Sequence, residues 1–109
     1  AFLPALVSSG FSCDRFIFEG FLPNKKGRTK RLRLLSNYDM TVILYESPHR
    51  LLKTLKQLSE LFGSDQLVSV SREISKIHEE NKRGKIKEII NYYELKKPKG
   101  EFVIIISKK

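Results

Sequence analysis

Apolar residues recur along this chain with two periods, and the periods take turns. From Phe16 the sequence FIFEGFLP sets Phe16, Phe18, Gly20 and Leu22 at every second position, as a half-buried strand does, until Pro23 and Asn24 end it. Gly27 to Ser36 reads as a basic helix with Leu32, Leu34 and Leu35 turned inward, closed by Asn37 and Tyr38. Met40 to Tyr45, MTVILY, is a continuous apolar run rich in β-branched residues, which predicts a strand covered on both faces. Pro48 then opens a helix at a favourable early position. Along it Leu51, Leu52, Leu55, Leu58, Leu61 and Phe62 recur at helical spacing, and Gly63 ends it. LVSVSRE from Leu67 predicts a strand with Val68 and Val70 on one face. Ser75 to Gly84 is polar, and part of it suits a short edge strand. Lys85 to Glu94 predicts a helix burying Ile86, Ile89, Ile90 and Tyr93. Pro98 and Gly100 form a turn before the last buried strand, Phe102 to Ile106. Upstream, AFLPALVSS from Ala1 to Ser9 reads as a short helix stopped by Gly10.

Strands alternating with helices argue for an α/β domain with one sheet covered by helices. At 109 residues the chain holds enough material for one modest core. No run approaches the roughly 18 apolar residues of a membrane-spanning helix, and no signal peptide is visible; a chain starting at Ala1 without Met suggests a fragment. A single cysteine, Cys13, excludes an internal disulfide or a multi-cysteine metal site and fits a reducing cytoplasm. It has no evident activating base and reads as inert.

Charge changes the picture more. Lys25, Lys26, Arg28, Lys30, Arg31 and Arg33 supply six of the nine net positive charges, with no acidic residue among them. A positive charge so localised points to an anionic partner such as nucleic acid. The run lacks the apolar opposite face of an interfacial membrane helix. A solvated helix surface is the plainer alternative.

Two polar clusters follow strands. Tyr45-Glu46-Ser47-Pro48-His49-Arg50 stands at the end of a buried strand, where open α/β sheets bind ligands and a following helix aims its free N–H groups. Equally, Glu46 or Ser47 serves as a helix cap, with His49 and Arg50 on the surface. The second cluster, Arg72 to Glu80, includes His78, Glu79 and Glu80 but matches no metal-ligand spacing, so no metal is predicted and salt-bridged surface is the simpler reading. There is no Gly-rich phosphate loop of Walker or Rossmann type.

Four stretches together carry a resemblance: SGFSCDRFIFEGFLPNKKGR, YESPHRL, SREISKIHEE with KRGKI soon after, and KGEFVIII. In this order and spacing the chain resembles the C-terminal domain of the bacterial 16S ribosomal RNA cytidine 2′-O-ribose methyltransferases. That family belongs to the tetrapyrrole-methylase superfamily, and the match runs across essentially all of the chain. Phe11-Ser12-Cys13 departs from it, standing where the family commonly has a Leu-Pro-Thr-like turn.

The resemblance implies an α/β fold: a mixed sheet of about five strands flanked by helices, forming the C-terminal domain of a two-domain enzyme. Residues 1–10 would end the interdomain segment and residues 11–109 would form the domain. It implies an enzyme using S-adenosylmethionine to methylate a cytidine ribose in 16S ribosomal RNA. It also implies a cytoplasmic homodimer that acts on the small ribosomal subunit and binds neither DNA nor membrane. By the same resemblance Tyr45, Glu46, Ser47, Gly100, Glu101 and Phe102 would approach the cofactor. Lys25, Lys26 and Arg28 would contact RNA phosphates, with Lys30, Arg31 and Arg33 continuing the same chemistry. His49, Arg50, Arg72, Glu73, His78 and Glu79 match motif positions without an assigned role. No residue is identified as the catalytic base. Two other functions remain open: a tetrapyrrole methylase of the precorrin or uroporphyrinogen type, which six adjacent cations speak against, and a non-catalytic RNA-binding or dimerisation module. This stretch alone is expected to be inactive.

Overall fold

A computed structural model describes residues 9–11, 15–73 and 79–107. The elements in order are β1 (Phe16–Phe21), α1 (Arg28–Ser36), β2 (Thr41–Glu46), α2 (Leu51–Phe62), β3 (Leu67–Glu73), β4 (Glu79–Lys85), α3 (Ile86–Leu95) and β5 (Glu101–Ile106). The strands form one mixed five-stranded sheet in the order β1-β2-β5-β3-β4. Only β1 and β2 pair in parallel, joined through α1; the β2–β5, β5–β3 and β3–β4 pairs are antiparallel. The last strand is thus inserted between two earlier ones. That insertion explains its unbroken apolar sequence: a central strand has sheet on both sides.

Cross-strand register defines two faces, because directly paired residues point the same way. Val42, Ile106 and Val68 form one row, and Leu44, Ile104 and Val70 the next. Against these rows pack Leu32 and Leu35 of α1, Leu51, Leu55 and Leu58 of α2, and Ile86, Ile89 and Tyr93 of α3. All three described helices therefore cover one face. On the other face Ile43 and Ile105 are buried in a smaller cluster with Phe11 and Val103. Truncating a fully buried leucine such as Leu55 in the main core removes about 2–5 kcal/mol.

The helix ends follow local chemistry. Gly27 precedes α1 with φ 82°, a left-handed conformation that glycine adopts without a Cβ penalty. Gly63 closes α2, its N–H donating to Ser59 O at 3.0 Å. At the start of α3 the Glu88 carboxylate accepts from the Lys85 N–H at 3.2 Å, satisfying a backbone donor there.

Three expectations need correction. The alternation in β1 does not keep one face: Gly20 and Leu22 lie with Ile17 on the helix-covered side, while Phe16 and Phe18 face the opposite side. The cause is a bulge at Glu19, between Phe18 paired with Ile43 and Gly20 paired with Leu44. One extra residue reverses the parity of everything after it. In α1, Leu34 is 42% exposed rather than inward, because only Leu32 and Leu35 fall on the buried stripe. Finally, Pro48 to Arg50 form a turn and α2 begins at Leu51. The polar stretch ahead of α3 does form an edge strand, β4, whose Lys and Arg residues suit an edge that must not recruit other strands. The helix expected before Gly10 lies outside the described residues except for Ser9, which is helical; Ser12 and Cys13 also lie outside them.

Candidate functional site

The basic run does not stay together as a patch. Arg28, the first residue of α1, is only 5% exposed and each of its three guanidinium nitrogens donates a hydrogen bond inside the domain. Nε donates to Gln57 Oε1 at 2.9 Å, Nη1 to Pro23 O at 3.2 Å and Nη2 to Thr54 Oγ1 at 2.6 Å. The Thr54 hydroxyl in turn donates to Glu46 Oε2 at 2.6 Å, and the Ser47 N–H donates to Glu46 Oε1 at 2.9 Å. Arg28 and Glu46 thus form a buried charge pair 3.7 Å apart, with a hydroxyl bonded to both. Burial makes such a pair expensive unless its lone pairs and protons are met, and here Gln57, Thr54, Pro23 and Ser47 meet them.

Arg31 is also committed. Its Nη2 lies 2.6 Å from Glu19 Oε1 and its Nε 2.9 Å from both carboxylate oxygens. Hydrogen bonding to Glu19, with the Coulombic attraction behind it, raises the guanidinium pKa further above its ordinary value. The bulge residue of β1 is therefore the partner of an α1 cation. Lys25, Lys26, Lys30 and Arg33 are left exposed or at the surface, with no ion pair among the described residues. An open depression of about 410 Å³ at α1 is lined by Pro23, Gly27, Lys30, Arg31, Leu34 and Asn37.

The two segments singled out for the cofactor meet in one ladder. Tyr45 pairs with Val103 and Glu46 with Phe102, so the end of β2 lies beside the start of β5. Not every named side chain is available there. The Phe102 ring is buried, edge-on to Tyr93 at 5.5 Å, and the Glu46 carboxylate is held by Thr54 and Ser47. Half-buried Tyr45 and Ser47, exposed Glu101, and Gly100 in its positive-φ turn are accessible. This donor set fits one wall of a nucleoside pocket, with an aromatic ring, a hydroxyl and strand-end backbone groups.

The row that contains Glu46 continues across the sheet through Phe102 and Arg72 to Glu80. Arg72 Nη2 donates to Glu80 Oε2 at 2.8 Å; Tyr92 Oη donates to Glu80 Oε1 at 2.8 Å and Lys96 Nζ to Glu80 Oε2 at 3.2 Å. Partial burial pushes the Glu80 carboxyl up, but the hydrogen bonds from Tyr92 and Lys96 and the Arg72 charge outweigh it, and the net shift is downward. Burial pushes the Tyr93 hydroxyl well above the ordinary tyrosine range. Arg72 is thus a buried cation paired with Glu80, though unlike Arg28 it leaves its Nε without a hydrogen-bond partner among the described residues. Arg50 reaches Asn24 Oδ1, tying the β1–α1 corner to the turn before α2, and His49 is exposed on that turn. Glu73 and Glu79 are backbone partners in the β3–β4 ladder; His78 lies outside the described residues.

Sequence reading did not find Thr54, Gln57, Glu19 or Tyr92. Thr54 carried a usable signal: it is a polar residue inside the leucine stripe, between Leu51 and Leu55, where a buried hydroxyl needs partners.

No protein-family model matches the chain. It is 44% identical over 108 residues to a protein of Synechocystis named ribosomal RNA small subunit methyltransferase I, covering 98% of this chain and 39% of that protein. It is 43% identical over 109 residues to the Thermotoga maritima protein of the same name, covering 100% of this chain and 49% of the relative. In structure it matches the methyltransferase CobJ with a TM-score of 0.71 at 18% identity, over 99% of this chain and 47% of that one. It matches the cobalt precorrin-4 methyltransferase CbiF with a TM-score of 0.68 at 15% identity, over 94% and 46%. These two likenesses identify the fold as that of the tetrapyrrole methylases. The chain spans less than half the length of the relatives it matches. The similarity runs the whole length of this chain, which therefore corresponds to part of the proteins named ribosomal RNA small subunit methyltransferase I.

Proposed function

We propose that this chain is one part of an S-adenosylmethionine-dependent methyltransferase that methylates the 2′-hydroxyl of a cytidine in the 16S RNA of the small ribosomal subunit. The observation that carries the reading is the sorting of the basic run. Arg28 and Arg31 are paired with Glu46 and Glu19, while Lys25, Lys26, Lys30 and Arg33 are exposed, Lys30 lining the depression beside α1. Four exposed cations with no ion pair among the described residues suit phosphates, which position a nucleic acid without reading its sequence. A small macrocycle would not require them.

S-adenosylmethionine, when bound, supplies a methyl group already activated on sulfur. What this chain's residues contribute is binding and orientation. Tyr45, Ser47, Gly100 and Glu101 form one wall for the nucleoside, and the lysines hold the RNA so that its ribose hydroxyl meets that wall's edge. Alignment of this kind accounts for much of the barrier lowering in a transfer between two bound partners. Arg28 and Glu46 act as positioning residues, fixing the corner that bears Lys25 and Lys26 to the end of β2. In this reading the protein works as a cytoplasmic homodimer, and residues 1–109 alone do not transfer methyl groups.

The test is methyl transfer from labelled S-adenosylmethionine by the full-length protein to 30S subunits and, separately, to a free tetrapyrrole. A variant with Lys25, Lys26 and Lys30 changed to Ala is run beside it. Label in RNA ribose, lost in the variant, is expected. Label in the tetrapyrrole, or activity indifferent to the lysines, overturns the reading. Sedimentation of the same protein checks the dimer, and an assay of residues 1–109 checks the inactivity of this part.

A further inference from the structure

We propose that Phe21 is a stacking platform for an unpaired RNA base, held beside the phosphate-binding lysines by the bulged end of β1. The inference rests on the RNA-directed reading above and adds to it the kind of RNA that the edge takes.

Backbone parity sets the face on which the ring emerges. Without the extra residue at Glu19, Phe21 would fall on the helix-covered face with Ile17. With it, Gly20 pairs with Leu44 and Phe21 with Tyr45, so the ring emerges on the other face. There it is 62% exposed, the most open aromatic ring among the described residues. Tyr45 meets the Phe21 ring edge-on at 5.5 Å and 68°, and meets Phe18 edge-on at 5.3 Å and 74°. Edge-to-face contacts fix a ring's orientation while leaving a π-face open.

The ring's relation to the cations is fixed as well. Leu22 is anchored in the core, Pro23 O accepts from Arg28, and Asn24 is bonded by Arg50. Phe21 and Lys25 are four residues apart, a Cα separation of at most about 14 Å even if fully extended. An oriented, open aromatic ring on a pinned corner that next presents Lys25 and Lys26 combines the two elements of single-strand recognition: a stacking surface and a positive track. A paired duplex hides its base faces and would use only the track. Charge complementarity therefore selects RNA as the occupant, and the ring selects its unpaired form.

The test uses the full-length protein and two probes of equal length: a single-stranded RNA containing 2-aminopurine and its duplex, titrated at several salt concentrations. F21A and F21L are expected to weaken single-strand binding about five- to a hundred-fold and to lose the 2-aminopurine quenching. Duplex affinity and the salt slope should not change, and F21W should retain both affinity and quenching. F21L keeps apolar bulk without a π-face, so it separates stacking from simple burial. K25A/K26A should lower the salt slope on both probes; if it does not, the RNA-directed reading itself fails. If the lysines matter but F21A and F21L bind single strands as the parent does, the stacking proposal is overturned. It is equally overturned if F21L changes only the KM for S-adenosylmethionine or the sedimentation coefficient, which would assign the ring to the cofactor or to a second copy.

Discussion

Arg28 and Glu46 hold opposite charges 3.7 Å apart at two places that the sequence separates by function, the basic corner and the end of β2. The Thr54 hydroxyl accepts from one and donates to the other at 2.6 Å each way. Three elements therefore meet at one hydroxyl: α1, β2 and α2. Removing either charge strands the other in a dry environment. R28A or E46A is expected to cost the full-length protein about 3–5 kcal/mol. T54V, which leaves both charges but removes their bridge, should cost about 1–3 kcal/mol. The double replacement R28M/E46L should cost less than the two single losses added together. Urea unfolding of the four proteins measures all of this, and additive losses would mean that the two charges do not interact.

Arg31 and Glu19 make the opposite kind of pair, close but near solvent, with Arg31 side-chain exposure of 42%. R31A should leave stability nearly unchanged, as exposed ion pairs contribute little. Its effect on RNA binding should also be smaller than that of K25A or K26A, since Glu19 already neutralises it. Each phosphate-contacting lysine removed should reduce the slope of log affinity against log salt by about 0.7 for a single strand. E19Q, which frees Arg31, should tighten binding. Equal slopes for R31A and K26A would refute this sorting of the cations.

Gly27 sets the angle between the basic corner and α1 with φ 82°, and a Cβ there would meet nothing within 4 Å. The cost of substitution is therefore purely conformational. G27A should destabilise by about 1–2 kcal/mol, and G27N by less, because asparagine tolerates the left-handed region. A thermal-melt comparison of the two variants decides it.

Glu80 gives the domain an acid sensitivity with a definite sign. Partial burial opposes ionisation of its carboxyl, but Tyr92, Lys96 and Arg72 together stabilise the anion and lower its pKa in the folded state. A group depressed in this way contributes its full stability above the ordinary carboxylate range. The contribution is lost as the pH falls through the depressed folded value. Stability of the full-length protein should fall on that acid limb, and E80Q should flatten the fall while lowering the plateau near neutrality. An unchanged acid limb in E80Q would show that other carboxylates carry it. Chemical denaturation across the acid range supplies the comparison.

Much of the fold was legible because it rests on periodicity. The leucine stripe of α2, the apolar runs of β2 and β5, and the glycine after Phe62 each mark their elements without reference to anything distant. β1 misled because a bulge has no period: one residue, Glu19, is skipped by the ladder, and Phe16 and Phe18 change face with respect to Gly20. The pairing of β2 with β5 was found only as two separate segments, since an inserted last strand depends on pairing across the whole chain.

By itself the sequence determined the element order, the α/β class, the likeness to ribosomal RNA methyltransferases and the presence of a concentrated positive charge. The tertiary structure alone decided which of those charges face outward. Lys25 and Arg28 are three residues apart in one run and carry the same formal charge. One is at the surface, while the other is buried against Thr54, Gln57 and the Glu46 carboxylate. Charge belongs to the residue and can be counted along a chain. Its availability to a partner depends on which groups the fold brings within a few ångströms, and those groups lie far away in sequence.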